Sequence, residues 1–231
     1  MGSDRRYLNM SSRKLEAFYG VVKGRRSVRS YTGERVRDDV LCRVFEAARW
    51  APSAHNSQPW RFIVLEDLKV RERLVNAMKS AWIKDLLRDG VPMEKVLKLV
   101  EEECVDRFMK SPVVILACLT MEDMDKYPDD RRRAAEHAMA VQSVAASIQN
   151  LLLAAHWEGL GACWVCAPLF CQEEVRRALC LPKELEPQAI ITMGYPAEKP
   201  DPPARKRLSE IVLSVTPGGG LKPWRGLKSL P

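Results

Sequence analysis

Val113-Val114-Ile115-Leu116-Ala117-Cys118-Leu119 is a continuous apolar run of strand length, with no charge and no turn former inside it. A strand that shows one face to water alternates apolar with polar residues, whereas one that is apolar at every position needs cover on both faces. The run therefore reads as the central strand of a sheet, and the rest of the chain has to supply helices on each side of it.

Working outward, Trp60–Leu65 (WRFIVL) is rich in β-branched and aromatic residues and reads as a second strand. Ala162–Val165 and Gln188–Tyr195 read as two more. Arg131–Trp157 carries small and apolar residues through its middle, from Ala134 to Ala155, and reads as a long helix buried along most of its length and ended by Gly159 and Gly161. Ser12 caps an N-terminal helix that Gly24 ends, Asp38 or Asp39 starts a second through Trp50, and Gln172–Leu179 makes a short one. Leu68–Met109 is helical twice over, broken near Gly90 and Pro92, and its irregular apolar spacing suits a mobile lid. From Pro196 the chain is rich in proline and holds Gly218-Gly219-Gly220, so residues 208–231 read as an extended arm, too Pro/Gly-rich to pack as a helix. The order of elements predicts an α+β fold in one domain over residues 1–231, with a central mixed sheet of four to five strands wrapped by helices.

The 231 residues are 46% hydrophobic and 29% charged, values that suit a globular core needing no disulfide staples. The polar stretch Met1–Asn9 has no signal-peptide pattern, and the longest apolar run, around Ile148–His156, is well short of a membrane span. Seven cysteines, an odd number and mostly in apolar segments, fit a reducing cytoplasm. The net charge of +7 is local, because residues 1–37 hold ten Lys/Arg against three acids and the remainder is neutral. Such a region suits nucleic acid, an acidic surface or a phosphorylated small molecule. No interleaved aromatic surface or nucleic-acid-binding motif accompanies the arginines, which disfavours the first.

Two runs favour the small molecule. Arg25-Arg26-Ser27-Val28-Arg29 gathers guanidinium forks and a hydroxyl, and each charge-assisted hydrogen bond to a phosphate is worth roughly 1.5–3 kcal/mol. In an extended conformation Arg25, Ser27 and Arg29 face one way and Arg26 the other. The second run, Ala51-Pro52-Ser53-Ala54-His55-Asn56-Ser57-Gln58-Pro59-Trp60, sets amides and hydroxyls on a proline-stiffened loop, suited to the edge of a heteroaromatic ring. Together they suit a ligand with an anionic tail and a flat, hydrogen-bonding head, as in flavin mononucleotide (FMN).

RRSVRSY followed by a helix and then APSAHNSQPWRFIV resembles the FMN-dependent nitroreductase family, and the likeness continues through GLGACWV to the Pro-rich tail, from about residue 20 to 212. The stretches WIKDLLRDG, YPDDRRRAAE and LFCQEEVRRALCLP are most similar to the C-terminal flavin reductase domain of the deazaflavin-coenzyme γ-glutamyl ligases. The resemblance implies bound FMN, with Arg25, Arg26 and Ser27 at its phosphate and ribityl end and Arg29 at the pyrimidine edge. There a fixed cation favours the reduced flavin. It further implies Pro52, Ser53 and Asn56 at the flavin head, backbone from Gly161 to Trp164 beside the ring, and Arg205, or its neighbours Lys206 and Arg207, at the phosphate. Asp85 would meet substrate. Family members hold FMN between two subunits, so a homodimer with small-molecule electron donor and acceptor is expected.

No G-x-G-x-x-G follows a strand, so a nicotinamide donor visits and leaves. The implied reaction is a ping-pong hydride transfer through flavin N5 from NAD(P)H to an electron-poor acceptor, with no catalytic side chain required. The alternatives are reduction of the dehydro precursor of the deazaflavin coenzyme, or deazaflavin binding without turnover. Cys163, Cys166, Cys171 and Cys180 read as structural thiols, and His55, His137 and His156 as solvated or core histidines, so no metal is expected.

Overall fold

The computed structural model describes residues 12–226; Met1–Asn9 and the end of the arm lie outside the described residues, as does the side chain of Ser12. In chain order come α1 (Ser12–Gly24), α2 (Asp38–Arg49), β1 (Trp60–Val64), α3 (Leu68–Arg88), α4 (Met93–Val100), a π-helical turn (Glu101–Asp106), α5 (Arg107–Met109) and β2 (Val113–Leu119). Then follow α6 (Asp130–Trp157), β3 (Gly161–Val165), α7 (Gln172–Ala178), β4 (Glu186–Gly194), α8 (Leu208–Ile211), β5 (Leu213–Val215) and β6 (Leu221–Pro223).

The four-stranded sheet runs β1-β2-β4-β3 and every ladder in it is antiparallel. The expected mixed character survives only as an isolated parallel bridge between Ser27 and Ala162. All seven residues of β2 are buried. The pleat sends Val113, Ile115, Ala117 and Leu119 into one core with α2 and α6, and Val114, Leu116 and Cys118 into another with α3, α4 and α7. A strand with two apolar faces thus sits between two helical layers.

The helix α6 is fixed at both ends. The Asp129 carboxylate accepts from Arg132 N at 3.0 Å to cap its start. Gly159, at φ +79°, lets the chain reverse so that Leu160 N donates to Ala155 O at its end. Its polar residues serve packing: Ser147 Oγ donates to Ala48 O at 2.8 Å and Asn150 Nδ2 to Ala47 O at 3.1 Å, joining it to α2. By length and composition α6 would pass as a membrane span, yet Ile148, Leu151 and Ala155 are buried against protein.

Leu68–Met109 departs from the lid expected of it. Leu74, Val75, Met78, Val96, Val100 and Phe108 are buried in the second core, so the stretch is one of the packed layers. Arg71 anchors it: this buried guanidinium donates to the carbonyls of Leu65 (2.5 Å), Ser111 (2.7 Å) and Pro112 (3.1 Å), tying α3 to the ends of two strands.

The chain divides into two compact units at Pro200/Asp201. The second is less extended than the sequence suggests: it contains the helical turn α8, and β5 pairs with β6 in a hairpin. The Leu-Ser-Glu-Ile run contains neither proline nor glycine, which permits that turn.

Candidate functional site

Residues 25–32 run from β3 to the chain just after β4. Val28 N donates to Ala162 O at 3.1 Å, and Thr32 N to Tyr195 O at 2.9 Å. Glu198 accepts from Arg29 N (2.6 Å) and Ser30 N (3.1 Å), which holds the backbone of the segment. A Cβ on Gly161 would lie 2.7 Å from Val28 Cβ, so glycine there makes room for this segment. A Cβ on Gly24 would lie 2.8 Å from His156 Nε2, at the tip of a side chain that can shift.

The arginines differ in their partners. Arg26 Nη1 donates to the carbonyls of Lys23 (2.6 Å), Gly24 (3.1 Å) and Arg25 (2.7 Å), closing the end of α1. Arg29 is exposed, and its Nη1 makes one long contact of 3.4 Å to Ser27 O. Both Arg25 Nε and Arg26 Nε are buried without a hydrogen-bond partner, and so is Trp164 Nε1 in β3. Burial pushes the Cys163 thiol up, with the fields of Arg29, Arg107 and Arg25 opposing it. Burial and the same arginine segment, through Arg25 and Arg26, hold His156 below the usual imidazole range. Positive charge is concentrated at this end of β3.

The loop before β1 is built differently. His55, Asn56 and Gln58 take left-handed backbone conformations at φ 55°, 52° and 46°, rare for residues with a Cβ and concentrated at functional sites. Side chains hold it: Ser53 Oγ accepts from Gln58 N (3.1 Å), Ser143 Oγ accepts from Ala54 N (3.2 Å), and Ser57 Oγ donates to Ala54 O (2.8 Å). Pro52 and Asn56 are exposed.

These two clusters lie at opposite edges of the sheet, one against β3 and one before β1. They also lie at opposite ends, since Ala162 is level with Met193 and Val113 whereas Trp60 is level with Leu119. Three strand spacings across and six residues along separate Ala162 from Trp60 by about 25 Å. One chain therefore does not bring the two halves of the expected pocket together.

Asp85 lies elsewhere again, on a cavity of about 920 Å³ lined also by Trp82, Arg88, Cys104, Arg107 and Phe170. Arg107 pairs there with Glu103 of the π-helical turn, and its field reaches Tyr31 and Cys163 beside the arginine segment. Arg205 belongs to the second compact unit, where it is exposed.

Against this geometry, the nitroreductase family profile matches residues 22–195. The chain belongs to the nitroreductase family. It is accordingly an enzyme of the oxidoreductase class. A Methanothermobacter thermautotrophicus protein named as a candidate NADH dehydrogenase/NAD(P)H nitroreductase is 30% identical over 182 residues, 78% of this chain and 77% of that one. A candidate nitroreductase from Desulfovibrio desulfuricans, solved in complex with FMN, is 28% identical with a TM-score of 0.63, covering 86% of this chain and 96% of its own. A BluB-like flavoprotein from Clostridium difficile shares the fold at TM-score 0.71 and 23% identity, over 86% and 99% of the two chains.

All seven cysteines are free. Burial raises Cys104 and Cys171 to about 11 and Cys118 to about 12, which keeps them as inert thiols. His137 Nε2 sits 2.8 Å from Glu186 Oε2. The histidine that the sequence undervalues is His55, whose Nε2 faces Glu136 Oε1 at 3.5 Å and Asp125 Oδ2 at 3.9 Å. These partners lie 70 and 81 positions away along the chain, beyond any local spacing signal.

Proposed function

We propose that the chain is an FMN-dependent oxidoreductase that works as a homodimer, taking electrons from NADH or NADPH and reducing an electron-poor acceptor. The observation that carries this reading is the set of buried nitrogens without partners, Arg25 Nε, Arg26 Nε and Trp164 Nε1, on and beside β3. A buried donor left unpaired costs about 1–3 kcal/mol, and the phosphate and ring of a flavin nucleotide offer acceptors of the kind these donors need. The FMN complex of the 28%-identical Desulfovibrio protein supports the same ligand.

In this reading Arg25, Arg26 through its unpaired Nε, and Ser27 hold the phosphate and ribityl end, and Arg29 sets its exposed guanidinium at the pyrimidine edge, where reduction leaves negative charge. The ring lies beside the Gly161–Trp164 main chain of the edge strand β3, where Cys163 and Trp164 follow the Ser27 bridge at Ala162. Bound FMN would supply the two-electron redox chemistry that donor and acceptor share.

Pro52, Ser53 and Asn56 meet the flavin head from a second copy of the chain. The 25 Å diagonal supports this, because a two-fold partner can bring one copy's loop to the other copy's arginine segment. So does the exposure of Leu15, Phe18, Tyr19 and Val22 on α1 beside exposed Trp157, an apolar surface suited to burial in a dimer. The seven free thiols suit a reducing cytoplasm.

The absorption spectrum of the purified protein tests the cofactor directly. A yellow protein with FMN absorbance that bleaches with NAD(P)H is expected; a colourless preparation indifferent to FMN would rule the reading out.

For the acceptor, the likeness of residues 82–90 to the deazaflavin-coenzyme ligases, with Asp85 on the cavity of about 920 Å³, makes the dehydro precursor of that coenzyme the specific alternative. Faster turnover of that precursor than of a nitroaromatic is the expected result. Stopped-flow reduction distinguishes turnover from deazaflavin binding alone.

A further inference from the structure

Three segments far apart in sequence converge on one point. His55 comes from the loop before β1, Asp125 from the chain after β2, and Glu136 from the second turn of α6. One donor atom of each lies within 4.8 Å of the others, the one such group of three among the described residues.

Glu136 is the residue that demands an explanation. It is 3% exposed, and its Oε2 is buried with no hydrogen-bond partner. Its Oε1 faces His55 Nε2 at 3.5 Å, beyond the usual range of a side-chain hydrogen bond. A buried carboxylate is expensive to leave uncompensated, and a second carboxylate, Asp125, adds to the negative charge.

The spacing fits ligands around a shared ion. With metal–nitrogen distances of 2.0–2.1 Å and metal–oxygen distances of 2.0–2.2 Å, neighbouring donors of a tetrahedral site lie about 3.3–3.5 Å apart. His55 and Glu136 already have that separation, and exposed Asp125 lies 3.9 Å from His55 and within 4.8 Å of Glu136. We propose that His55 Nε2, Glu136 and Asp125 form a site for a divalent transition-metal ion such as Zn²⁺, with solvent in the remaining position. One imidazole and two carboxylates are a nitrogen and oxygen donor set that such ions accept. The ion neutralises the buried carboxylate and ties the left-handed His55–Gln58 turn to α6, fixing the loop that carries Ser53 and Asn56.

The test is Zn²⁺ retained per chain after gel filtration in reductant, together with the melting temperature with and without Zn²⁺. His55→Asn keeps a residue that tolerates the left-handed backbone, Glu136→Gln keeps the shape, and Asp125→Asn changes only an exposed group. Wild-type protein is expected to retain one equivalent that His55→Asn and Glu136→Gln each lose, and Asp125→Asn is expected to weaken binding at least tenfold. Cys166→Ser/Cys180→Ser, which removes two exposed thiols that could hold Zn²⁺ elsewhere, is expected to keep that equivalent. Zn²⁺ should raise the melting temperature of wild type and of the double cysteine variant but not of His55→Asn or Glu136→Gln, and without metal Glu136→Gln should melt higher than wild type. Unchanged stoichiometry in both His55→Asn and Asp125→Asn, or no Zn²⁺ retained by wild type, would overturn the site even if Glu136→Gln failed to fold.

Discussion

The arginine segment along β3 and the loop before β1 are both polar, both follow a helix, and are held in opposite ways. The first is fixed by its main chain, through bonds to Ala162, Tyr195 and Glu198, and leaves the Arg29 guanidinium exposed. The second bends through three left-handed residues and uses its own hydroxyls to hold the bend. A charged anchor built on strand pairing and a shaped loop built on side chains should respond differently to substitution.

The largest difference should be in flavin affinity. Arg25→Ala and Arg29→Ala each remove charge-assisted bonds of roughly 1.5–3 kcal/mol, so each should weaken FMN binding about 10- to 100-fold. Ser53→Ala and Asn56→Ala remove neutral bonds of roughly 0.5–1.5 kcal/mol, a loss of about threefold to tenfold each. Fluorescence titration of FMN into apoprotein measures both sets, and equal losses would erase the contrast.

Backbone placement should show next. Gly161→Ala drives a Cβ into Val28 and should destabilise the protein by about 1–3 kcal/mol in thermal or denaturant melts. Val28→Ala in the same chain should recover part of that loss, a coupling that a double-mutant cycle reads. On the loop side the sign reverses: Gln58→Gly relaxes a left-handed position and should stabilise by about 1 kcal/mol.

Much of this architecture could be read from sequence where periodicity was strong. The seven apolar residues of β2 and the buried stripe of α6 each imply a two-sided core, and their observed bounds match that reading to within a residue. Strand order could not be read, because no local pattern encodes which strand lies at an edge. Residues 25–29 and 52–56 look like neighbours in sequence, and only the order β1-β2-β4-β3 sends them to opposite corners. The packing of Leu68–Met109 was obscured by Arg71, a buried charge that pattern reading places outside, and by the π-helical turn, which shifts the apolar phase. The meeting of His55 with Glu136 depends on α6 lying over the loop, a tertiary fact.

The smallest expected effect is on pH dependence, away from both clusters. Arg43 bonds Glu158 (2.8 and 2.7 Å) and Asp39 (3.1 Å), joining α2 to the end of α6; it holds the Glu158 carboxyl below its usual range, and after Arg37 it does the same for Asp39. A depressed folded-state value contributes stability that is present above the unfolded value, near 4, and is lost as pH falls through the folded one. Arg43→Met should therefore flatten the acid side of the melting-temperature profile below about pH 4 and leave flavin affinity unchanged.

Sedimentation velocity of the flavin-loaded protein, followed at the flavin absorbance, asks whether two copies are needed to assemble what one chain holds 25 Å apart. Flavin travelling only with a dimer, at one per chain, is the expected result. A stable monomer that carries flavin would contradict it.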